Sequence, residues 1–272
     1  MKTISILGCG WLGLPLAEKL IQLGHSVKGS TRSSTDLPRL GQKGIIPFSI
    51  NLDPTIIAEN ADSFFDTEIL IINFPPQRRE DIVKYHEMQA ISLIESIKKS
   101  AIEKVIFVSS TSVYPDLNRE VSEDDTHGPT KESGKALIKF ESLLKECSEF
   151  KTTILRFAGL IGYNRNPGRF LAGKKEVVNA DAPVNLIHRD DCVNIIVEII
   201  DKDLWGETLN ACSDVHPLRK DYYISAANKL GLAPPEFKNT EHLSFKIINS
   251  DKLKKLLNYQ FIHPDPTKID FN

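Results

Sequence analysis

The stretch TISILGCGWLGLPLAEKLIQLG, residues 3–24, decides the fold. Its first five residues are mostly β-branched or apolar, which favours a short buried strand. A glycine loop follows, and apolar residues then recur at helical spacing at Leu12, Leu16, Leu20 and Leu23. Gly24 is suited to end that helix, because glycine readily adopts the left-handed conformation found after helix ends. The stretch therefore predicts a strand, a tight turn and a helix.

The glycine loop has the spacing of a dinucleotide-binding turn. The pattern GxGxxG stands directly after the strand and opens the helix, which is the context that this motif requires. Gly8 allows the tight turn, Gly10 lets the backbone approach a pyrophosphate, and Gly13 lets the helix pack closely on the strand. A glycine-rich turn without a ligand is the alternative. The context favours the ligand, with Trp11 and Leu12 as further cofactor contacts at the helix N-terminus.

The end of the second predicted strand bears on the choice of cofactor. In NAD-binding sites an acidic residue there hydrogen-bonds the ribose, but residues 28–33, KGSTRS, contain no acid. Arg32 follows Thr31, and a guanidinium with neighbouring hydroxyls can bind a 2′-phosphate. A solvated surface arginine is the alternative. The stretch favours NADP over NAD, with Thr31 and Arg32 as contacts.

Strand-like and helical patterns alternate along the rest of the first half of the chain. Predicted strands are nearly continuous apolar runs, as expected when both faces of a sheet are covered. This alternation predicts an α/β fold of the Rossmann type, with a doubly wound parallel sheet. The predicted strands lie at residues 26–28, 45–50, 68–74, 104–109 and 152–157, and the clearest helices at 80–99 and 133–147.

The pattern loosens after about residue 160. A loop is predicted at 162–173, followed by a helix at 189–201, a strand at 208–211, a helix at 220–230, and a strand and helix at 246–248 and 250–257. We expect an NAD(P)-binding domain over residues 1–162, to which 184–201 return. Residues 163–183 and 202–272 are expected to form a small C-terminal α+β lobe that binds substrate.

Composition excludes several functional classes. The 272 residues carry 34 Lys+Arg against 36 Asp+Glu, so no basic excess favours nucleic acid as a partner. No apolar run approaches the ~20 residues that span a bilayer, and the N-terminal apolar stretch is interrupted by glycines, unlike a signal peptide. The four cysteines are far apart and predict neither a zinc site nor a disulfide framework. We expect a soluble cytoplasmic protein without a metal, and leave the oligomeric state open.

Several ordered segments resemble those of the extended short-chain dehydrogenase/reductase family. After the glycine loop come VSSTSVY at 108–114, LRFAGLIG at 155–162 and IHRDD at 187–191. Longer segments such as GCGWLGLPLA, NPGRFLAGK and HPLRKDYY resemble an atypical bacterial subgroup of its NAD(P)-dependent epimerase/dehydratase members. The resemblance covers essentially the whole chain. It implies oxidoreductase or epimerase-like activity on a nucleotide-sugar-like or other small polar substrate.

The chain departs from that family at the active-site helix. Typical members carry Tyr-x-x-x-Lys, in which the tyrosine moves a proton and the lysine holds the nicotinamide ribose. Here Lys135 stands at the lysine position and Lys131 at the tyrosine position. A free lysine titrates near ~10.4 and is a poor base at neutral pH, so a solvated lysine at the helix start is the favoured interpretation of Lys131. A catalytically silent NADP(H)-binding sensor is therefore the alternative function.

The resemblance also implies a set of site residues. Ser110 matches the catalytic hydroxyl, which donates to a substrate oxygen, although it could instead satisfy backbone groups after the strand. His188 is either a general base or a residue that lines the cleft or caps the helix start at Asp190 and Asp191. Together with Lys135, the expected cofactor contacts beyond the glycine loop are Asn51, Leu52, Phe74, Pro75, Ser109 and Phe157. The expected substrate contacts are Ser112, Tyr114, Gly159, Arg165, Arg169 and His188.

Overall fold

The computed structural model describes residues 1–239 and 242–271. The strands of this part of the chain are β1 (Thr3–Leu7), β2 (Ser26–Thr31), β3 (Ile46–Ser49), β4 (Asn51–Leu52), β5 (Ile56–Ile57), β6 (Ile69–Ile72), β7 (Lys104–Ser110), β8 (Arg119–Val121), β9 (Lys151–Phe157), β10 (Gly159–Ile161), β11 (Leu186–His188), β12 (Thr208–Ala211) and β13 (Lys246–Ile248). The helices are α1 (Gly13–Gln22), α2 (Leu37–Gly41), α3 (Ala61–Phe65), α4 (Ile82–Lys98), α5 (Glu132–Lys145), α6 (Arg189–Asp201), α7 (Arg219–Lys229) and α8 (Asp251–Leu257).

A seven-stranded sheet has the order β12-β9-β7-β6-β1-β2-β3. The pairings from β3 through β2, β1 and β6 to β7 are all parallel. The order reverses at β1, which lies between β2 and β6, so this is the doubly wound α/β sheet that the sequence predicts. All four residues of β6 are buried, in agreement with an apolar strand covered on both faces.

The turn between β1 and α1 depends on two of its glycines. Gly8 has φ +109°, and a Cβ there would lie 2.3 Å from the carbonyl oxygen of Asn73. A Cβ on Gly13 would lie 2.2 Å from the carbonyl oxygen of Gly8. The close helix–strand approach expected at Gly13 is therefore present, and any side chain at either position would displace the backbone.

Helices α4 and α5 pack against each other and bring α5 next to β7. Ile82 and Tyr85 of α4 form a buried cluster with Ala136 of α5. One turn along α5, the ring of Phe140 stacks on that of Phe107 from β7, with centroids 4.5 Å apart. This packing fixes the helix that carries the predicted site lysines.

The chain divides into two compact units whose boundaries differ from the expected domains. The first unit comprises Met1–Val113, Pro129–Arg156 and Ile196–Thr208, and the second comprises Tyr114–Gly128, Phe157–Ile195 and the chain from Leu209 onward. The difference has a local cause in two short pairings that were not predicted. β10 pairs with β11, and β8 pairs with β13, so residues near 160, 187 and 120 group with the C-terminal part.

Several elements of the second half lie where the sequence predicts them. The helix at 189–201, the strand at 208–211 and the strand at 246–248 have the predicted bounds. The short elements α2, α3, β4 and β5 were not predicted, because two to five residues carry too little periodicity to be recognised. Within the described ranges, no helix combines the length and apolarity that crossing a bilayer demands.

Candidate functional site

A cavity of about 460 Å³ lies in the first unit beside the glycine loop. Its walls include residues 7–10, 30–33 and 73–77, which lie at or just beyond the carboxyl ends of β1, β2 and β6. Doubly wound sheets bind ligands at this edge, where the strand order reverses. The predicted cofactor contacts that line the cavity are Gly8, Gly10, Thr31, Arg32, Leu52, Phe74 and Pro75.

The remaining predicted cofactor contacts lie outside this lining. Trp11, Leu12, Gly13, Asn51, Ser109 and Lys135 belong to the first unit, and Phe157 belongs to the second. Their part in cofactor binding stays a prediction.

The backbone of the glycine loop is hydrogen-bonded to β2, and the helix that follows begins without a side-chain cap. The N–H of Gly8 donates to Ser30 Oγ at 3.0 Å, and the N–H of Cys9 donates to the carbonyl oxygen of Ser30 at 2.8 Å. The residue at the N-cap of α1 is Leu12, which makes no side-chain capping hydrogen bond. In the first turn the Leu14 N–H donates to the Gly10 carbonyl oxygen at 3.1 Å and Pro15 has no N–H, so it is the positive end of the helix dipole that suits an anionic ligand.

The charged side chains that line the cavity are two arginines and one aspartate, a net positive charge that favours a phosphate. Arg32 is exposed, lines the cavity and forms no ion pair with any residue that the structure describes. The sequence pattern missed Asp36 and Arg39, which also line the cavity, with 3.8 Å between a carboxylate oxygen and Arg39 Nε. They follow the strand within short helical turns, so spacing from the glycine loop does not identify them. Burial raises the pKa of the Cys9 thiol to about 12, which keeps this wall of the cavity neutral.

Two amide side chains of the cavity were also missed by sequence reasoning. Asn73, the residue after β6, donates from Nδ2 to the carbonyl oxygen of Gly8 at 3.0 Å and so ties β6 to the glycine loop. Gln89 of α4 donates to the carbonyl oxygen of Leu52 at 2.7 Å, and its Oε1 lies 2.8 Å from His86 Nδ1. Burial lowers the pKa of His86, so the imidazole donates from Nδ1 as a neutral ring. Asn73 could have been found as a polar residue at a strand end, whereas Gln89 reaches the cavity only through tertiary packing.

A buried ion pair lies beneath the segment that carries the predicted catalytic serine. Glu141 of α5 pairs with Arg156 of β9, and both side chains are under a tenth exposed. The hydroxyl of Ser109 donates to Glu141 Oε1 at 2.6 Å. The Ser109 side chain is thus directed to the ion pair, so a cofactor contact by this residue would use its backbone.

The Ser110 hydroxyl accepts a backbone hydrogen bond after β7, as the alternative interpretation of this residue expects, and its own proton remains available to a substrate. Ser110 Oγ accepts the N–H of Ser112 at 3.1 Å in the turn after β7. Ser110 is half-buried, and an acceptor hydroxyl still has its proton to give. Capping the turn and polarising a substrate oxygen are therefore compatible roles for this one group.

Helix α5 begins at the position where the family tyrosine is replaced. Lys131 is the N-cap residue, extended and exposed, in agreement with a solvated lysine at the helix start. Lys135 is half-exposed, and its Nζ lies 2.6 Å from Glu132 Oε1. An exposed pair of this kind contributes at most about 1 kcal/mol, so the ammonium can be redirected to a ribose at little cost.

The substrate contacts expected from the resemblance are divided between the two units. Ser112 belongs to the first unit, whereas Tyr114, Gly159, Arg165, Arg169 and His188 belong to the second. The Tyr114 hydroxyl is buried and donates to Asn210 Oδ1 at 2.8 Å, which indicates a supporting role. Arg165 and Arg169 are exposed, and the Gly159 N–H donates to the carbonyl oxygen of Asn185 at 3.0 Å.

His188 is buried beside a second histidine. Its ring centroid lies 4.0 Å from that of His263, and its Nδ1 lies 3.5 Å from Asp190 Oδ2. Burial and the neighbouring His263 lower the pKa of His188 to about 4. The imidazole is therefore neutral at pH 7, and one of its nitrogens carries a lone pair rather than a proton.

Comparisons with known proteins agree with this fold and cavity. A family model described as NAD(P)H-binding matches residues 8–203, which include the glycine loop and the sheet. Protein YeeZ of Escherichia coli K12 is 33% identical over 269 residues, covering 98% of each chain. Such a match over the full length extends the relationship beyond the cofactor motif.

Solved structures share the same architecture. A UDP-glucuronic acid 4-epimerase from Bacillus cereus in complex with NAD is 19% identical, covers 96% of this chain and 94% of its own, and has a TM-score of 0.79. A short-chain dehydrogenase/reductase superfamily protein from Agrobacterium tumefaciens with bound NAD is 14% identical, with coverages of 95% and 92% and a TM-score of 0.78. At these identities the likeness shows the fold alone.

Proposed function

The chain belongs to the NAD(P)H-binding family, as an atypical extended short-chain dehydrogenase/reductase, and from this premise we propose that it binds NADP(H). The proposal rests on one observation, the cavity at the reversal of strand order, with its uncapped helix and the unpaired Arg32. A Cβ on Gly10 would meet no described atom within 4 Å, so the loop leaves open space where a pyrophosphate would lie. The residues present fit the dinucleotide.

The preference for NADP over NAD is the first test. Arg32→Ala should weaken NADPH binding about ten- to hundredfold and leave NADH binding nearly unchanged, because only the former has a 2′-phosphate for the guanidinium. The expected loss corresponds to ~1.5–3 kcal/mol for a charge-assisted contact. Titration calorimetry of both cofactors at one fixed ionic strength measures it.

The exposed Arg78, which lies outside the cavity lining, provides the matched control for Arg32. Arg78→Ala should leave both affinities unchanged. Equal losses of NADPH and NADH binding in Arg32→Ala, or tighter NADH binding by the unaltered protein, would refute the assignment of Arg32.

We further propose an oxidoreductase or epimerase-like activity on a nucleotide-sugar-like or other small polar substrate. NADP(H) supplies or accepts the hydride when bound. Ser110 donates its hydroxyl proton in a hydrogen bond to the reacting substrate oxygen, and Lys135 holds the nicotinamide ribose. The Tyr114 hydroxyl already donates its hydrogen bond to Asn210, which favours water or the substrate itself as the proton source.

All four cysteines are free thiols, which supports our proposal of a reducing, cytoplasmic location.

Turnover measurements test these roles. We expect little turnover with generic carbonyl compounds or common nucleotide sugars, because a missing acid–base group usually costs ~10²–10⁴-fold. With a true substrate, Ser110→Ala should lower kcat about ten- to hundredfold while barely changing cofactor affinity, since it removes a hydrogen bond to developing charge. Lys135→Ala should change both. Stopped-flow NADPH oxidation across a substrate panel measures these effects.

Lys139 lies one turn beyond Lys135 and pairs with Glu87, so Lys139→Ala serves as the control. Turnover near ~10 s⁻¹ that is unaffected in both the Ser110 and Lys135 variants would show that the assumed register of this site is wrong.

The second candidate function is a catalytically silent NADP(H) sensor. The observation that favours it is Lys131, exposed at the helix start where a tyrosine would move the proton. Clear cofactor binding without turnover on any panel member supports the sensor, whereas turnover that depends on Ser110 supports the enzyme.

A further inference from the structure

Two histidines and a carboxylate of the second unit converge outside the cofactor cavity. One ligand atom each from His188, Asp190 and His263 lie within 4.8 Å of one another. His188 Nδ1 and His263 Nε2 lie 3.5 Å and 3.6 Å from the same carboxylate oxygen, Asp190 Oδ2. These separations are longer than the 2.7–3.2 Å typical of a hydrogen bond.

The two nitrogen–oxygen separations match the distances between neighbouring ligand atoms around a bound metal ion. Zinc binds imidazole nitrogen and carboxylate oxygen at roughly 2.0–2.2 Å, and a tetrahedral arrangement places neighbouring ligand atoms roughly 3.3–3.6 Å apart. Both measured edges of the cluster fall in that interval. Two histidines and one carboxylate are also a donor set that binds zinc with a fourth position left for water.

The carboxylate is oriented by a neighbour. Tyr163 donates its hydroxyl to Asp190 Oδ1 at 2.9 Å, which leaves Oδ2 turned to the two imidazoles. Outer contacts of this kind fix ligand orientation in metal sites. The guanidinium of Arg189 lies over the Tyr163 ring, with Cζ 3.7 Å from the ring centroid.

A buried carboxylate holds the segment that carries His263. Asp191 is fully buried, and its Oδ1 accepts the Ile262 N–H at 2.7 Å and the Tyr259 hydroxyl at 2.9 Å. Its Oδ2 accepts the His263 N–H at 3.1 Å. The two adjacent acids at the start of α6 therefore have different roles. Asp190 faces the imidazoles, and Asp191 holds the loop that brings His263 to them.

The lone pair of His188 points toward the cluster. Its Nδ1 accepts the backbone N–H of Asp190 at 3.3 Å, a long hydrogen bond, so Nδ1 is the nitrogen without a proton. The side chain of His188 is 7% exposed, whereas Asp190 and His263 are 38% and 28% exposed. The cluster is thus buried on the His188 side and open to solvent on the side of Asp190 and His263.

We propose that His188, Asp190 and His263 form a binding site for a divalent transition-metal ion of the zinc class. The ion takes one nitrogen from each imidazole and Asp190 Oδ2, and water completes its shell. His188 releases the Asp190 N–H and gives the same lone pair to the metal. The sequence analysis predicts no metal. It misses this site because the three ligands come from two distant segments that only the fold brings together.

Cobalt provides a direct test, since Co²⁺ bound by few nitrogen and oxygen ligands has intense visible bands. Untagged, chelator-treated full-length protein titrated with CoCl₂ should bind one equivalent with these bands, and Zn²⁺ should displace it. Asp190→Asn and His263→Gln should each weaken Co²⁺ binding at least about tenfold. Tyr163→Phe should weaken it about tenfold, because it frees the carboxylate to turn.

The control is a second histidine–aspartate pair, with an exposed histidine, for which the described part of the chain offers no third ligand. His127 Nδ1 lies 3.3 Å from Asp125 Oδ1, so His127→Gln should leave the titration unchanged. His263→Gln retains the backbone N–H that Asp191 binds, and its thermal unfolding curve verifies that it folds. Absence of visible bands in the unaltered protein, or equal Co²⁺ affinity in folded His263→Gln, would overturn the metal site.

Discussion

Replacing Glu141 with alanine should lower the free energy of unfolding by about 3–5 kcal/mol. Glu141 and Arg156 have side chains only 3% and 8% exposed, and Arg156 Nε lies 3.1 Å from Glu141 Oε1. Removing the carboxylate leaves a buried guanidinium without its counter-charge and takes the acceptor from the Ser109 hydroxyl. Urea denaturation of the two proteins, with equal m-values required, measures the difference.

Two further variants separate the ion pair from general damage to α5. Glu146 is exposed at the C-cap of the same helix, so Glu146→Ala should change stability by less than about 0.5 kcal/mol. The double variant Glu141→Leu/Arg156→Met should be more stable than Glu141→Ala, because it leaves no unpaired buried charge. A loss below about 1 kcal/mol in Glu141→Ala would mean that the pair is not desolvated in solution.

The ion pair also links the cofactor edge to the predicted catalytic residues. Ser109 precedes Ser110 at the end of β7, Glu141 lies on the helix of Lys135, and Arg156 belongs to β9. One carboxylate thus joins two strands and helix α5. We expect Glu141→Gln to disturb the positions of Ser110 and Lys135 together. Loss of a local hydrogen bond of either residue would disturb that residue alone.

The parts of the fold that sequence predicts are those set by local patterns. The strand, turn and helix of residues 3–24 follow from β-branched residues, glycine spacing and helical periodicity, all within one short stretch. Helix α6 has its predicted bounds, Arg189–Asp201, since acidic residues mark its first turn and apolar residues repeat along it. Short strands such as β10 and β11 escape prediction, because each exists only through pairing with the other.

The residues of the candidate site likewise divide into those that a local sequence pattern predicts and those that only tertiary packing brings to the site. Gly8, Gly10 and Arg32 are found by spacing alone, whereas Gln89 reaches the cavity from a helix far along the chain. Glu141 did leave a signal, because it stands four residues after Leu137 on the apolar face of α5. A charge on an apolar helical face predicts a buried partner, but only the structure identifies that partner as Arg156.

Gly10→Val should abolish binding of both NADPH and NADH while leaving the fold intact. A Cβ at this position meets no described atom within 4 Å, and Gly10 lies outside the positive-φ region, so the protein itself tolerates a side chain. The branched side chain would instead occupy the space of the pyrophosphate, which both cofactors share. We expect affinity to fall more than about hundredfold, or ~2.7 kcal/mol, in calorimetric titrations.

Gly128 makes a matched control, because a Cβ there also meets no described atom within 4 Å and it lies outside the cavity lining. Gly128→Val should bind both cofactors normally, and both variants should unfold at the temperature of the unaltered protein. Gly8→Val should behave differently and lose stability, since its Cβ would lie 2.3 Å from the Asn73 carbonyl oxygen. Cofactor binding retained by folded Gly10→Val would show that the glycine loop does not hold the phosphates.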